Sequence, residues 1–542
     1  MCYRFLPAKA WVISIWAGLT TACLINRPLL PIDETRYFSV AWEMWTRQEF
    51  LVPLLNGEAY SDKPPLLFWL IHACWLVFGV NETLARYIAP LFSLLVLQQS
   101  RRLALDLWPR SPQAGELVPF LLLGSVFWMI YDSLTLFDMV LSFFVLLAVA
   151  NVWRLATQSF SIKSWLVLSL ALGCGLLAKG PVVFAHVLPV ALSAPWWAVE
   201  QGRALSWRRW YAGLFLAVLA SAMLALSWAV PAGIAGGEEY RSDIFWDQTG
   251  KRLIDSIAHS LPWWWYFQTL PLLLLPWLVW APFWQGMAKL PLSDKGVRFC
   301  LAWLLPVLLV FSLVSGKRLH YLLPVLPAMA LLIARAVSCP EAVNSNSAYR
   351  SVLVVFALLG LGFALIALTK PGGWFHPIAE VSPQWGLSVT ALALAVLALG
   401  GSKALNDQVV TICLVSVAGF ALMIVGFFQA YGPNYDTRPM AVAISELITQ
   451  GREVVFYTGK YYGQYQFTGR LQQPLTVISE RAELEQWIYN HPQGYVLAVY
   501  KARPELDDRL LAARYPFRTQ QSGLVSCRTL LANPGLIGFL RS

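Results

Sequence analysis

PIDETRYFSVAWEMWTRQEFLVPLLNGEAYSDKPP, running from Pro31 to Pro65, is the stretch whose reading decides the fold. In an otherwise apolar chain it concentrates Asp33, Glu34, Arg36, Glu43, Arg47, Glu49, Glu58, Asp62 and Lys63, with Phe38, Trp42 and Trp45 interleaved at helical spacing. That pattern predicts an amphipathic helix directly after a first apolar run. Such a helix should lie in the plane of a membrane interface and not cross the bilayer.

The surrounding composition supports a membrane setting. Of 542 residues, 58% are hydrophobic and 13% charged, whereas average globular chains carry about 25% charged residues. Twenty-six Trp and 33 Pro fit the same class, because Trp collects at bilayer interfaces and Pro is tolerated in spans. The formal charge of +10 comes from basic residues scattered through short linkers. Positive-inside topology explains it more cheaply than nucleic-acid binding. Eight widely spaced Cys form neither a disulfide framework nor a zinc ribbon. The first apolar run has no A-x-A-like cleavage site and reads as a retained signal anchor.

Windows of about 20 apolar residues predict about thirteen spans, roughly 10–30, 84–103, 115–131, 135–153, 163–178, 181–199, 210–231, 264–284, 299–315, 320–337, 350–369, 385–400 and 408–429. The linkers alternate in character. Those with Arg4, Lys9, Arg101, Arg102, Arg110, Arg154, Lys163, Arg203, Arg208, Arg209, Lys289, Lys295, Arg298, Arg335, Arg350 and Lys403 are short and basic, the mark of the cytoplasmic side. Parity sends residues 31–83, 232–263 and the tail to the opposite face. Asp33, Asp62, Lys63, Asp138, Lys179, His259, Lys317 and Arg318 go with them. From about Tyr431 the composition becomes ordinary. Short β-like runs (Val454–Thr458, Leu475–Ile478, Tyr495–Tyr500, Leu524–Leu530) alternate there with helical stretches (Glu480–Tyr489, Pro504–Arg514). The expected architecture is therefore an all-α polytopic membrane part over residues 1–430, with a first outer loop at 31–83, followed by a small exported α/β domain over 431–542.

Several residues could carry chemistry. Asp33-Glu34 is either a helix start signal or an external carboxylate able to take a proton or position a substrate. Lys179, in LAKGP, either snorkels or meets an anion. Asp138 lies just inside a span, as a structural ion pair or as a catalytic group. His259, ahead of the aromatic block PWWWY, reads by itself as a satisfied interfacial His. Lys317 and Arg318 are flanking charges or phosphate partners. No Walker or Rossmann glycine string precedes a helix, so a nucleotide cofactor is not expected.

Asp33-Glu34-Thr35-Arg36-Tyr37, Asn56-Gly57 and Tyr60-Ser61-Asp62-Lys63-Pro64-Pro65 together resemble the first outer loop of the aminoarabinose transferases. These are polytopic GT-C glycosyltransferases related to protein O-mannosyltransferases. The resemblance implies a bacterial inner-membrane enzyme with its site and tail domain on the periplasmic face. It would take a sugar from a polyprenyl (undecaprenyl) phosphate and transfer it, with inversion, to a lipid A-type or other envelope glycan acceptor.

By the same resemblance Asp33 is the base or acceptor-positioning carboxylate, and Arg36 lies beside it. Tyr60 and Lys63 match the pair near the carrier phosphate. Lys179 matches the second phosphate-contacting lysine, and Asp138 orders the first-loop residues. Arg252 and Lys317 are further phosphate candidates, and Tyr321 in KRLHYLLP faces the carrier lipid. Asp62 stands where the family usually has Glu. With His259 it leaves room for a divalent metal ion. The expected partners are the lipid-linked sugar, a lipid or glycan acceptor and membrane lipids, with the protein working as a monomer. Two rival readings stay open: a protein O-mannosyltransferase-like activity, and a lipid transporter or flippase.

Overall fold

A computed structural model describes residues 8–158, 161–198, 206–246, 261–338, 348–371, 376–400, 404–457, 459–501 and 508–540. The chain divides into two compact units, one of residues 1–25 and 61–426, the other of residues 26–60 and 427–542.

The first unit is helical and apolar. Seven described helices are long and apolar enough to cross a membrane, or eight if a bent pair counts as one, so the described residues do not bear out thirteen unbroken spans. Proline explains much of the difference, since it removes a backbone donor and breaks the helical ladder. The 264–284 window resolves into Trp265–Leu273, a short 3₁₀ turn at Trp277–Val279 and Ala281–Ala288. Pro271, Pro276 and Pro282 punctuate it. The 115–131 window is bent by 68° between Pro112–Leu123 and Val126–Asp132. Asp132 at the end of that pair is fully buried and accepts a hydrogen bond from Thr20 Oγ1 at 3.2 Å, so this polar end of the pair faces protein. The outer loop 31–83 also contains an apolar helix, Leu66–Phe78, whose 13 residues are too few to span.

The bundle is pinned by buried indoles. Trp277 donates to the Leu121 carbonyl at 2.9 Å, Trp280 to Gln408 Oε1 at 3.1 Å, Trp128 to Ser93 Oγ at 3.0 Å and Trp16 to the Pro90 carbonyl at 3.0 Å. Many Trp therefore work inside the bundle, because a buried indole must place its N–H on an acceptor. Trp263 and Trp264 remain exposed, as an interfacial belt requires.

The second unit is built on a five-stranded sheet. We label the strands β1 Leu54–Leu55, β2 Glu58–Ala59, β3 Val454–Tyr457, β4 Thr476–Ile478, β5 Tyr495–Tyr500, β6 Ala513–Phe517 and β7 Gln520–Ser526. The sheet order is β4-β3-β5-β7-β6, with β3 parallel to β4 and β5, and β7 antiparallel to β5 and β6. Two expectations change here. Residues 513–517 are a strand, not the end of a helix, because β6 pairs back onto β7 in a hairpin. The last strand ends at Ser526, whose hydroxyl accepts from the Thr529 N–H at 3.1 Å and caps a Cys527–Ala532 helix.

The Asp33–Arg47 helix forms as its pattern predicts, but its apolar face is covered by protein. Phe38, Val40, Ala41 and Met44 are fully buried, and the Phe38 and Phe467 rings lie 4.9 Å apart. Ser39 Oγ donates to the Gly463 carbonyl at 2.5 Å, and Trp42 Nε1 to the Leu471 carbonyl at 2.8 Å. The tail, which the sequence pattern does not point to, is what seats this helix. β1 and β2 form a hairpin whose turn is Asn56-Gly57. Both turn residues have positive φ, 54° and 87°, the geometry that favours Asn-Gly in tight hairpins. Asn56 does more than turn the chain. Its side chain donates to the Leu475 carbonyl at 2.9 Å and accepts from the Leu475 N–H and from Gln466 Nε2, both at 2.8 Å.

Replacing Asn56 by Ala strips partners from the 475 backbone and adds strain at positive φ. We expect a loss of about 2 kcal/mol or more of stability, read as a lower unfolding midpoint of the detergent-solubilised protein. An unchanged midpoint would show that these bonds do not hold the loop.

Candidate functional site

In the first unit the charges gather around Asp138. This residue sits in the first turn of the Phe137–Thr157 helix, and Lys179 sits in the last turn of Ile162–Lys179. A carboxylate at a helix N-terminus and an ammonium at a C-terminus each meet the favourable end of a dipole. Lys179 Nζ lies 2.5 Å from Asp138 Oδ1, with the two side chains 13% and 7% exposed. Gly180 follows with φ of +75°. This conformation stops the helix without strain in a residue lacking Cβ and turns the chain into Pro181. Lys63 and His320 lie within electrostatic reach of the same carboxylate. Lys63 Nζ also donates to the Asp62 carbonyl at 3.2 Å. Phe68, one turn past Lys63, packs edge-on to Phe137 with ring centroids 5.5 Å apart, which ties the Leu66–Phe78 helix to the Asp138 helix.

Rings line this cluster. Lys179 Nζ stands 5.1 Å from the Tyr321 ring centroid, within cation–π range. Centroid distances of 5.0–5.8 Å link Tyr131, His320, Tyr321, Phe311 and His186 in turn. His186 is fully buried, and neither ring nitrogen has a hydrogen-bond partner among the described residues. Sequence reasoning passed over His186 and His320. An ionisable residue inside an apolar run was the available signal for His186.

The second unit holds Asp33, Arg36 and Tyr60. Buried Arg27 pairs with Glu34, whose carboxylate also accepts from the Leu30 N–H at 3.0 Å, fixing how the Asp33–Arg47 helix begins. Glu34 thus turns inward, while Asp33 is half exposed and pairs with Arg36 Nη2 at 2.5 Å. The Arg36 guanidinium lies 5.4, 6.0 and 5.7 Å from the ring centroids of Tyr37, Tyr60 and Tyr462. Lys460 Nζ is 5.9 Å from the Tyr462 ring. Tyr462 and Lys460 belong to the tail, and nothing in the first-loop sequence points to them.

The remaining candidates divide. Lys317 is buried, and its amine donates to the Leu261 carbonyl at 2.9 Å and the Val314 carbonyl at 2.6 Å. Burial pulls its pKa below the ordinary lysine value. These two bonds make the side chain part of a clamp between the 261 loop and the end of the Lys295–Leu313 helix. Tyr266 Oη donates to the Arg318 carbonyl at 2.9 Å in the same clamp. Arg252 and His259 lie outside the described residues. Among the described residues no group of three or more His, Cys, Asp or Glu could hold a metal ion.

Known proteins resemble this chain in sequence and in fold. Residues 27–234 match the family described as dolichyl-phosphate-mannose-protein mannosyltransferase. The undecaprenyl phosphate-alpha-4-amino-4-deoxy-L-arabinose arabinosyl transferase 2 of Pseudomonas fluorescens is 27% identical over 67% of each chain. The corresponding enzyme of Pseudomonas aeruginosa is 31% identical over 64% of this chain and 61% of its own. The alignments thus span about two thirds of these relatives or slightly less. The fold matches the crystal structure of ArnT from Cupriavidus metallidurans in the apo state, with a TM-score of 0.74 at 17% identity over 96% of this chain and 99% of that one. It also matches the same protein bound to undecaprenyl phosphate, with a TM-score of 0.72 at 18% identity.

Removing one partner of a buried ion pair leaves the other charge unpaired, at a cost of about 3–5 kcal/mol. Lys179→Met should therefore lower thermal stability sharply, and the double variant Asp138→Asn, Lys179→Met should recover most of the loss. Additive losses in that cycle would show that the two side chains do not depend on each other.

Proposed function

We propose that this chain, aminoarabinose-transferase-like in sequence and in fold, is a GT-C glycosyltransferase. It moves a sugar from a polyprenyl-phosphate carrier to an acceptor at the periplasmic face of the bacterial inner membrane. The carrier is undecaprenyl phosphate, and the acceptor a lipid A phosphate or another envelope glycan. In this reading residues 1–430 are the membrane part, residues 431–542 an exported domain, and the protein works as a monomer. The observation that carries the proposal is the convergence of Lys179, Lys63 and His320 on Asp138, beside the ring of Tyr321.

The chemistry follows from charge. As the glycosidic C–O bond breaks, negative charge grows on the carrier phosphate. Fixed cations at a poorly screened site stabilise that charge more than they would in bulk water. Lys63 and Lys179 take this role, and Asp138 holds Lys179 in place before the phosphate arrives. Asp33, half exposed and paired with Arg36, serves the acceptor. It removes a proton from a hydroxyl, or orients a phosphate that is already nucleophilic. Tyr60 holds the Arg36 guanidinium from one side, and Arg252 is a further phosphate partner in this scheme. The match of residues 27–234 to mannosyltransferases acting on proteins favours one second reading, in which the acceptor is a hydroxyl of an exported protein.

Losing a group that meets charge only in the transition state costs about 10²–10³-fold in rate. Lys63→Ala should lower turnover of a lipid-linked sugar by that factor while leaving the melting temperature within a few degrees of wild type. Asp33→Asn should do the same. Near-normal turnover in Lys63→Ala would remove it from the mechanism. Mass analysis of lipid A and of exported proteins in a deletion strain separates the two acceptors, and no change in either would exclude both.

A further inference from the structure

A cavity with an apolar wall and charged groups at its edge lies in the first unit, among residues that the transferase reading leaves unused. It encloses about 240 Å³ and is lined by Lys9 and Ile13 of the Ala8–Asn26 helix, Gln98, Arg101 and Arg102 of Ile88–Leu107, and Glu116 of Pro112–Leu123. Three cations thus face one carboxylate. Glu116 is committed to Arg101, whose Nη2 lies 2.5 Å away. Arg101 Nε is buried and has no hydrogen-bond acceptor among the described residues. Lys9 and Arg102 are exposed, and neither has an ion-pair partner among the described residues. The cavity carries a surplus of positive charge and an unmet donor.

What lies beside the cavity narrows the ligand. On the Ile88–Leu107 helix, Leu91, Leu95, Gln98 and Arg102 follow at helical spacing along one exposed face. That face begins as bare leucine, 49% exposed at Leu91 and 41% at Leu95, and ends in cations at the cavity. Ile13 on the neighbouring helix adds a further exposed apolar side chain, 44% exposed. A small soluble anion would use only the charged end. A molecule with a phosphate at one end and hydrocarbon at the other uses both, and basic pockets between membrane helices suit anionic headgroups.

We propose that this cavity binds one anionic phospholipid. Its phosphodiester would meet Lys9, Arg101 and Arg102, and an acyl chain would lie along Leu95 and Leu91. Lys9 and both arginines lie near the basic ends of their helices, so the leaflet is the cytoplasmic one. The site is separate from the Asp138 cluster, and its occupancy does not depend on which sugar or acceptor the enzyme uses.

The test is competitive lipid retention by the full-length detergent-solubilised protein, read by native mass spectrometry with phosphatidylglycerol against phosphatidylcholine. Wild type should keep the anionic lipid preferentially. Each neutralised cation should weaken retention about fivefold, so Lys9→Gln with Arg102→Gln should weaken it about 30-fold. Glu116→Gln should strengthen it about fivefold, and this variant of opposite sign carries the test if the double variant does not fold. Retention unchanged in both variants, or phosphatidylcholine held as tightly as phosphatidylglycerol, would overturn the assignment. Inorganic phosphate added to delipidated protein should leave its melting temperature unchanged. A rise that vanishes in the double variant would make this a soluble-anion site and sink the lipid.

Discussion

An ammonium and a carboxylate 2.5 Å apart among apolar helices constrain everything around them. Burying either charge without a partner is costly, because desolvation disfavours an unpaired ion far more than it does a matched pair. Their helices therefore have to end at the same level, one by its first turn and the other by its last. Gly180 ends the second helix on cue, and Phe68 against Phe137 brings the first-loop segment to the same place. The pair is thus a fixed reference point at which further cations can be held close to one another.

The other unit meets a different constraint. A helix with a charged face and an aromatic face is unstable in water unless the aromatic face is covered. The tail covers it, with Phe467 on Phe38 and backbone carbonyls on Ser39 and Trp42. With one side fixed in this way, Arg27 and Glu34 lock the start of the helix, and Asp33 is left on the open side. Its partner Arg36 stands among three tyrosine rings, so the guanidinium is held by faces that do not neutralise it.

Much of this was legible in the residues. The excess of apolar over charged residues set the membrane class. Alternation of charge and aromatics predicted the Asp33–Arg47 helix. The first-loop and LAKGP motifs pointed to Lys63 and Lys179, the place of an ionisable residue just inside a span pointed to Asp138, and these three do gather. Hydropathy windows failed where proline and buried polar groups interrupt helices, as at 264–284 and at Asp132, because a window averages composition and does not register a missing backbone donor.

By itself the sequence determined which segments are apolar, which turn tightly and which motif charges are present, since these depend on composition and short-range spacing. Only the tertiary structure decided their partners. It gave Lys317 to two carbonyls and left His186 buried beside Phe311. It set Tyr462 over Arg36, from more than four hundred residues away along the chain. Partner choice is a long-range matter, fixed by which helices and strands pack together, and no local pattern encodes it.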